Sequence, residues 1–545
     1  MSDRLPVHAP AVVPIADVAA RAGLRPEEIV PWGRAKAKVD AARVLSRLAG
    51  APRGRLVCVT AVTPTLAGEG KTTTAIGLAD GLATIGARPV LCLREPSLGP
   101  VFGRKGGGAG GGRAQLVPME DVNLHFTGDN HAVAAANNLL ASMLDASLIH
   151  GNPLGVDPAT ITWRRALDMN DRVLRRIEVG LDPGDGAFPR ETGFDIAAAS
   201  EVMAVLSVAE DLFDLRRRLG AIVVAHDRKG RPVTAEALHA AGSMTVLLRD
   251  ALDPNLVQTR EGTPCLVHAG PFANIAHGNN SVIADRVALA LGDHVVTEAG
   301  FAADLGFEKF ADIVCPSAGL APSAAVVVAG VETLRHHGGG DLEAGAANLR
   351  RHIGIVGAFG VPCIVAVNRR VSDADADLQR ACALALGGGA RAAVVCDAFE
   401  RGGEGAAELA RAVADACAQP SDFRPLYPDG LGLAEKLEVI ARRVYGAGAV
   451  ELTPAAARRI AELEAEGLGA LPVCVAKTPL SLSADPALIG APEGFTLPVG
   501  DVRAYAGAGW VVAICGDVQL MPGLPDGPVA ERIDIDSQGR AVGLF

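Results

Sequence analysis

Aromatic residues are scarce in this sequence. Phe, Trp and Tyr together make up 4% of its 545 residues, so Ala, Val and Leu must fill most of a hydrophobic core. Hydrophobic residues still reach 49% and charged residues 21%, which is ordinary for a globular protein. The length favours about two to four domains.

Basic residues are outnumbered by acidic ones. The chain carries 51 Lys and Arg against 62 Asp and Glu, a formal net charge of −11. A nucleic-acid-binding protein needs a basic surface for its phosphate contacts, so this class of function is disfavoured. A local basic pocket for an anionic ligand remains compatible with the composition.

Paired cysteines and long apolar runs are also lacking. The ten cysteines stand singly, without a Cys-x-x-Cys pair, which predicts buried, reduced thiols rather than metal ligands or disulfides. No basic segment followed by an apolar core opens the chain. No apolar run reaches the roughly 18–20 residues needed to span a bilayer. We therefore expect a soluble, cytoplasmic protein without membrane or nucleic-acid partners.

Short, continuously apolar runs alternate with longer helical patterns. This combination is typical of strands buried on both faces in a parallel sheet that helices cover. The alternation predicts an α/β, doubly wound architecture. The predicted strands are residues 56–62, 89–93, 221–225, 265–268, 294–298, 324–329, 361–368 and 392–396, and examples of predicted helices are residues 72–85, 200–219 and 406–418.

Two changes of composition divide the chain into three predicted parts. A HHGGG segment at residues 336–340 precedes a new βα unit, and a GAGAVE segment at residues 446–451 precedes Pro-rich and Gly-rich β-like sequence. We predict a main domain over residues 1–350, an α/β domain over 351–450 and a C-terminal α+β domain over 451–545.

A phosphate-binding loop is predicted where the first long strand ends. The segment 57–74 reads VCVTAVTPTLAGEGKTTT, a strand that runs through a Gly-containing loop into a helix. Backbone N–H groups of such a loop wrap phosphates, Lys71 would reach the terminal phosphates, and the Thr72 hydroxyl would bind Mg²⁺. The predicted nucleotide-binding residues are Pro64, Thr65, Leu66, Ala67, Gly68, Glu69, Gly70, Lys71 and Thr72.

The match to the Walker A pattern is incomplete. That pattern requires Gly at position 65, where this chain has Thr65. A chance Gly-rich turn is the alternative interpretation. The loop by itself predicts only that the protein binds nucleotide phosphates.

A second Gly-rich segment follows the next strand. Arg94 and Glu95 come directly after predicted strand 89–93, at the end of a strand where ligands bind in parallel sheets. Arg104 and Lys105 then lie in a run of glycines over residues 103–112. A flexible loop with cations suits anionic substrates, and a disordered linker is the alternative.

Long segments of the chain resemble one enzyme family. TPTLAGEGKTTT, REPSLGP, VPMEDVNLHFTGD and GNPLGVDP are similar to segments of the formate–tetrahydrofolate ligases, also called formyltetrahydrofolate synthetases. The resemblance continues through ITWRRALDMNDR, PNLVQTREGTPCLVHAGPFANIAHGNNSVIA, VTEAGFAADLGFEKF and LPVCVAKTPLSLSADP. It covers nearly the whole chain and implies a P-loop NTPase-like fold with two smaller C-terminal domains.

The resemblance implies a reaction of one-carbon metabolism. The family couples ATP, formate and tetrahydrofolate to give 10-formyltetrahydrofolate, ADP and phosphate through formyl phosphate. It implies that Lys71 and Thr72, with Mg²⁺, hold the polyphosphate and that Arg94 binds the formyl phosphate. Glu95 would hold Arg94 or a cation, and the resemblance also implies a monovalent cation activator and a homotetramer. A surface ion pair between Arg94 and Glu95 is the structural alternative.

Histidines are candidates for the base that accepts the amine proton. His125 and His131 lie in LHFTGDNH, and His268 lies in LVHAGP. An imidazole titrates near neutral pH and can accept such a proton. A hydrogen-bonded structural histidine is at least as good an interpretation for each of them.

The predicted folate site departs from the family pattern. The resemblance implies a stacking aromatic at Phe301. Arg370 in VNRRVSD stands where an aromatic is expected, and Phe399 in CDAFERGGEG stands where Trp is expected. Arg113 and Asn279 replace the more usual Tyr and Cys.

Two alternative functions stay open. One is a formate-activating ligase with a different amine acceptor, which Arg370 and Phe399 motivate. The other is a P-loop ATPase switch or scaffold.

Overall fold

A computed structural model describes residues 12–66, 68–103, 107–182 and 189–544 of the chain. The predicted site residue Ala67 and the loop cations Arg104 and Lys105 lie outside the described residues. The strands are β1 Ile29–Pro31, β2 Ala37–Val39, β3 Arg55–Ala61, β4 Pro89–Leu93, β5 Gly110–Gly111, β6 Ala114–Val117, β7 Arg165–Leu167, β8 Ile177–Val179, β9 Arg190–Thr192, β10 Phe194–Ile196, β11 Val223–His226, β12 Pro232–Thr234, β13 Asn255–Thr259, β14 Pro264–Val267, β15 His294–Glu298, β16 Ala324–Ala329, β17 Cys363–Asn368, β18 Ala392–Cys396, β19 Ala449–Leu452, β20 Val473–Ala476, β21 Thr496–Val499, β22 Asp501–Tyr505, β23 Trp510–Ile514, β24 Asp534–Ile535 and β25 Ala541–Val542.

Helices connect these strands. They are α1 Ile15–Arg21, α2 Ala41–Arg47, α3 Lys71–Thr84, α4 Leu98–Phe102, α5 Met119–Asn123, α6 Asp129–Ile149, α7 Glu201–Val208, α8 Leu212–Ala221, α9 Ala241–Leu248, α10 Val282–Leu291, α11 Cys315–Ala318, α12 Val331–His337, α13 Leu342–Ala358, α14 Asp375–Gly387, α15 Ala398–Gly405, α16 Ala407–Cys417, α17 Leu433–Ile440 and α18 Pro454–Ala465. Two π-helical turns, Ala303–Phe307 and Phe310–Val314, precede α11.

One 12-stranded mixed sheet organises the chain. Its main path runs β1-β2-β13-β14-β4-β15-β3-β16-β17-β18, and the strands from β14 to β18 on this path are parallel to their neighbours. Antiparallel pairing is confined to the other edge, where β13 joins β14, β2 and β6. The parallel strands therefore end at a common edge.

Both faces of the parallel strands are buried. Along β3, Leu56 and Cys58 face one core and Val57 and Val59 face the other, because successive side chains of a strand alternate between faces. Helices α3 and α16 cover one face, and α10 and α13 cover the other. This double cover explains the continuous apolar runs in the sequence.

Helix α3 packs closely against α15. A Cβ atom at Gly77 would lie 2.2 Å from the Cβ of Ala398, so only glycine allows this approach. At Gly81, a Cβ would lie 2.9 Å from the carbonyl oxygen of Ala406. The two glycines thus bring Phe399, the residue after Ala398, close to the sheet edge at which α3 begins.

The predicted fold class is confirmed in its coarse form. The chain is α/β with a large, mostly parallel sheet, and the predicted strands agree with observed ones to within a few residues. One predicted strand differs in its place: β11 pairs only with β12, in a separate antiparallel hairpin. Strands β17 and β18 continue the central sheet beyond residue 350, and the three-part division of the chain stays a prediction.

The C-terminal strands share a core with the central sheet. Residues of β20 and β23, Trp510 among them, belong to the same buried cluster as Leu56 of β3. A buried ion pair joins the two parts, since Lys477 Nζ lies 2.7 Å from Asp304 Oδ2 with side chains 0% and 1% exposed. All ten cysteines are buried and free, as predicted.

Helix α6 is long and apolar enough by composition to cross a membrane. Among the described residues it is the one helix with this property, and 39% of its most apolar window is buried inside the protein. It packs against α9 and β7. Core helices pass the same composition test, so the property is weak evidence for a membrane span.

Candidate active site

The carboxyl ends of three neighbouring strands form the floor of the site. Strand β15 lies between β3 and β4, so the residues that follow these strands converge. The Thr72 hydroxyl donates to Glu298 Oε2 at 2.9 Å, and Arg94 Nε lies 4.0 Å from Glu298 Oε1. A cavity of about 360 Å³ opens here, and its wall includes Thr72, Arg94, Glu95, Asn170, Asn274, Glu298, Phe301 and Gln519.

The loop between β3 and α3 adopts a conformation that requires glycine. Gly68 and Gly70 have φ angles of 76° and 70°. A Cβ at Gly70 would lie 2.3 Å from Nδ2 of Asn368. Asn368 Nδ2 donates to the Glu69 carbonyl oxygen at 3.2 Å, and Arg370 Nη2 donates to that of Gly68 at 3.0 Å. These side chains hold two carbonyl oxygens of the loop.

The N–H groups of the loop are available to an anion. Those of Glu69 and Gly70 have no hydrogen-bond partner among the described residues. They lie immediately before the N-terminus of α3, where the helix dipole favours negative charge. The arrangement suits a phosphate group.

The carboxylate of Glu69 explains how Thr65 fits in place of glycine. Glu69 Oε1 accepts from the Thr65 N–H at 2.8 Å and from its hydroxyl at 3.1 Å. Glu69 Oε2 accepts from the hydroxyl of Thr333. The N–H of residue 65 is therefore used inside the loop, and the loop closes without glycine at that position.

Lys71 and Phe301 meet above the floor. Lys71 Nζ donates to the carbonyl oxygen of Phe301 at 3.0 Å. Phe301 has a φ of 58°, which is rare for a residue with a side chain and costs on the order of 1–3 kcal/mol. Such strained residues cluster at functional sites, and Phe301 lines the cavity.

Arg94 is poised for an anionic ligand. Its Nη1 donates to the carbonyl oxygen of Pro271 at 3.4 Å, and its buried Nε has no hydrogen-bond partner among the residues that the structure describes. Burial lowers the pKa of Arg94, and the Glu298 carboxylate raises it. The described ion pairs thus join Arg94 to Glu298 and include none between Arg94 and Glu95. A planar guanidinium with a spare donor suits a carboxylate or phosphate.

Glu95 lies in the cavity wall and belongs to a buried carboxyl pair. Burial and the neighbouring Asp129 carboxylate raise the pKa of Glu95 well above its usual range. Asp129 is paired with Lys38 at 2.7 Å. Within the described part of the chain, the Oε2 atom of Glu95 is buried without a hydrogen-bond partner, so it can serve a bound ligand or cation.

The predicted catalytic histidines His125 and His131 do not line this cavity. His125 and His131 are exposed, and neither is among the residues of the cavity wall. Their role as proton acceptors stays a prediction. His268 has a structural environment: its Nδ1 lies 2.6 Å from the Ser281 hydroxyl and its Nε2 lies 2.6 Å from the Ala251 carbonyl oxygen. Burial lowers the pKa of His268 to about 4.

One of the three predicted folate residues contacts the phosphate loop, and another lies at the second Gly-rich segment. Arg370 contacts Gly68, whereas the ring of Phe399, a residue that is 41% exposed, lies against Gly111. Phe301 lies in the cavity wall, whereas Arg370 and Phe399 do not. The assignment of these three residues to folate stays a prediction.

Sequence reasoning missed Glu298 and the cavity amides. Glu298 ends an apolar strand, and a charged residue at that position was a usable signal. Asn170, Asn274 and Gln519 come from distant loops, and no local pattern marks them.

Oxygen ligands for a metal ion are present at the end of the phosphate loop. The hydroxyl of Thr72 and the carboxylate of Glu298 are of the kind that binds Mg²⁺. The described residues contain no group of three or more acidic, His or Cys side chains placed to hold a metal alone.

Comparison with known proteins identifies the family of this chain. A model of the formate–tetrahydrofolate ligase family matches residues 3–545. The chain is 56% identical over 544 residues to the formate–tetrahydrofolate ligase of Paracoccus denitrificans, with 98% of each chain covered. It is 56% identical over 545 residues to that of Acidiphilium cryptum, again with 98% of each chain covered. It is 51% identical over 553 residues to that of Desulforamulus reducens, with 98% of this chain and 97% of the relative covered. The chain belongs to the formate–tetrahydrofolate ligase family.

Proposed function

We propose that this enzyme ligates formate to tetrahydrofolate with ATP through a formyl phosphate intermediate. The observation that carries the proposal is the convergence of Lys71, Thr72, Arg94 and Glu298 at one end of the phosphate loop, beside the strained Phe301. Cations and N–H donors of this kind stabilise anionic oxygens during phosphoryl and acyl transfer.

In the first step, a formate oxygen attacks the γ-phosphorus and ADP leaves. Lys71 and the loop N–H groups hold the phosphates, while Arg94 holds formate beside them. Mg²⁺, when bound at Thr72, neutralises phosphate charge. In the second step, N10 of tetrahydrofolate attacks the formyl carbon, phosphate leaves and the nitrogen loses one proton. His125 and His131 are the proposed acceptors of that proton.

A three-substrate assay tests the proposal. We expect 10-formyltetrahydrofolate and ADP in equal amounts, and neither when formate, ATP or tetrahydrofolate is withheld. With ¹⁸O-labelled formate, one label should pass to inorganic phosphate, because the attacking formate oxygen stays with phosphorus. Formate-dependent ADP release without a folate product favours another amine acceptor. ATP hydrolysis that ignores formate favours an ATPase switch.

Glu298 should link the metal to the catalytic residues. Its carboxylate accepts a hydrogen bond from the Thr72 hydroxyl and lies 4.0 Å from Arg94. Glu298→Gln therefore removes the negative charge that faces both residues. We expect kcat to fall about 10- to 100-fold, as for other residues that orient metal ligands. The Mg²⁺ concentration that gives half-maximal activity should rise. Titration of activity with Mg²⁺ measures this. The exposed Glu178→Gln serves as the control, and an unchanged Mg²⁺ requirement in Glu298→Gln contradicts the assignment.

The proposal includes several further features. We propose Glu95, with its unpartnered buried oxygen, as a ligand for the monovalent cation activator. Arg370 and Phe399 are proposed to contact folate with Phe301. A P-loop NTPase-like fold with two smaller C-terminal domains, a cytoplasmic location without membrane or nucleic-acid partners, and a homotetramer complete the proposal. Light scattering coupled to size-exclusion chromatography tests the last of these.

A further inference from the structure

The first residue of the loop after β3 and Val62 is bound on every polar group. The Thr63 N–H donates to Nε2 of His352 at 2.9 Å, with Oδ1 of Asn348 3.3 Å away. The Thr63 hydroxyl accepts from Asn348 Nδ2 at 2.9 Å. The Thr63 carbonyl oxygen lies 2.8 Å from Nε2 of His337. We call the side chains of His337, Asn348 and His352 the Thr63 clamp.

The clamp also binds the C-terminal part of the chain. Asn348 Nδ2 donates to the Gly490 carbonyl oxygen at 2.6 Å, and the Gly490 N–H donates to Nδ1 of His337 at 3.2 Å. Two of the three side chains therefore join the start of the phosphate loop to Gly490. The side chains that hold the start of the loop thus come from more than 270 residues further along the chain than Thr63. They also connect the loop to Gly490, which lies outside the central sheet.

These contacts suit neutral imidazoles. Nε2 of His352 lies 2.9 Å from both the N and the hydroxyl oxygen of Thr63, so a neutral ring that accepts through Nε2 can bind both groups. His337 accepts through Nδ1 and donates through Nε2, so it must also be neutral. Burial lowers the pKa of His352 to about 4 and lowers that of His337, which agrees with this assignment. Thr63, Asn348 and His352 are all fully buried.

We infer that the Thr63 clamp positions the phosphate loop for nucleotide, and that His337, Asn348 and His352 are positioning residues of this enzyme. The inference rests on the proposed function only for the identity of the nucleotide. The loop lacks the glycine that the Walker A pattern requires at position 65, and its Thr65 is bound from within by Glu69. The clamp fixes the other end of the same segment, at Thr63, and so sets where the loop N–H groups point.

Paired substitutions at His352 test the inference. His352→Leu removes the acceptor for the Thr63 N–H, whereas Gln can place its amide oxygen near the position of Nε2. We expect His352→Leu to raise the KM for ATP and the Kd for ADP by about tenfold, which is the effect of losing one buried hydrogen bond. The KM values for formate and tetrahydrofolate should stay within about twofold. His352→Gln should recover most of the nucleotide affinity. Asn348→Leu should resemble His352→Leu.

The controls separate positioning from general destabilisation. His150 is exposed at the end of α6, far in sequence from the clamp, so His150→Gln should leave all constants unchanged. ADP binding is measured by calorimetry on folded protein, with circular dichroism to verify the fold, and needs no ligase activity. The proposed reaction can therefore fail in the assay while the clamp is still tested. If His352→Leu binds ADP as tightly as the unchanged enzyme, or if all three substrates lose affinity equally, the inference is wrong.

Discussion

Lys71→Ala should abolish most of the ligase activity. Lys71 begins α3 directly after the phosphate loop, and its Nζ lies 3.0 Å from the Phe301 carbonyl oxygen at the cavity. Its charge is therefore placed where negative charge develops on the transferred phosphoryl group. Loss of such a cation costs roughly 10³-fold or more in kcat. Steady-state rates of ADP and 10-formyltetrahydrofolate formation should fall together.

Two further variants make this expectation specific. Lys71→Arg should recover little activity, because a planar guanidinium is larger than an ammonium and is held differently. Lys229 is exposed and lies outside the cavity wall. Lys229→Ala removes the same charge as Lys71→Ala, and we expect it to behave as the unchanged enzyme. Full turnover by Lys71→Ala would remove Lys71 from the mechanism, and with it the phosphate-binding role of the loop.

The loop also shows how far the sequence could predict the site. A strand, a Gly-containing turn and a helix are local features, and each follows from residues that adjoin in the chain. The contact of Thr65 with Glu69 is local too, although no pattern search would assign a carboxylate to that task. The Thr63 clamp is different, because His352 reaches Thr63 only through the packing of α13 against the sheet.

The same distinction applies to the fold. Continuous apolar runs predicted the parallel strands, because strands buried on both faces must be apolar throughout. The order of the strands could not be predicted in this way. That β15 lies between β3 and β4 is a property of the crossover connections, and it brings Glu298 to Thr72 and Arg94. The residues that follow single strands were predictable, but their neighbours from other strands were not.

The histidines illustrate the limit of residue chemistry without geometry. His125 and His131 have the right functional group for a base, yet both are exposed and outside the cavity wall. His337 in α12 and His352 in α13 belong to no catalytic sequence pattern. Both nevertheless hydrogen-bond directly to Thr63 at the start of the phosphate loop. Imidazole chemistry alone does not distinguish the two pairs.

Arg94→Ala should separate formate activation from nucleotide binding. Arg94 lines the cavity, and its charge is held 4.0 Å from Glu298. Without it, formate loses the cation that aligns its oxygen with the γ-phosphate. We expect formate-dependent ADP formation to fall about 10²- to 10³-fold while the Kd for ADP changes little. Arg94→Lys should recover only part of the activity, because an ammonium lacks the bidentate fork. The exposed Arg176→Ala is the control.

A double-mutant cycle with Glu298 decides between two roles of Arg94. If Arg94 only neutralises the buried Glu298 carboxylate, then Arg94→Ala should cost little more in an enzyme that already carries Glu298→Gln. If Arg94 binds formate, most of its effect should persist in that background, and added formate should partly restore the rate. The 4.0 Å separation from Glu298, together with an Nε to which none of the described residues hydrogen-bonds, favours the second outcome. Rate measurements at several formate concentrations on the four proteins of the cycle give the answer. If Arg94→Ala lowers the rate in the unchanged enzyme but not in the Glu298→Gln background, Arg94 is a partner of Glu298 and not a ligand of formate.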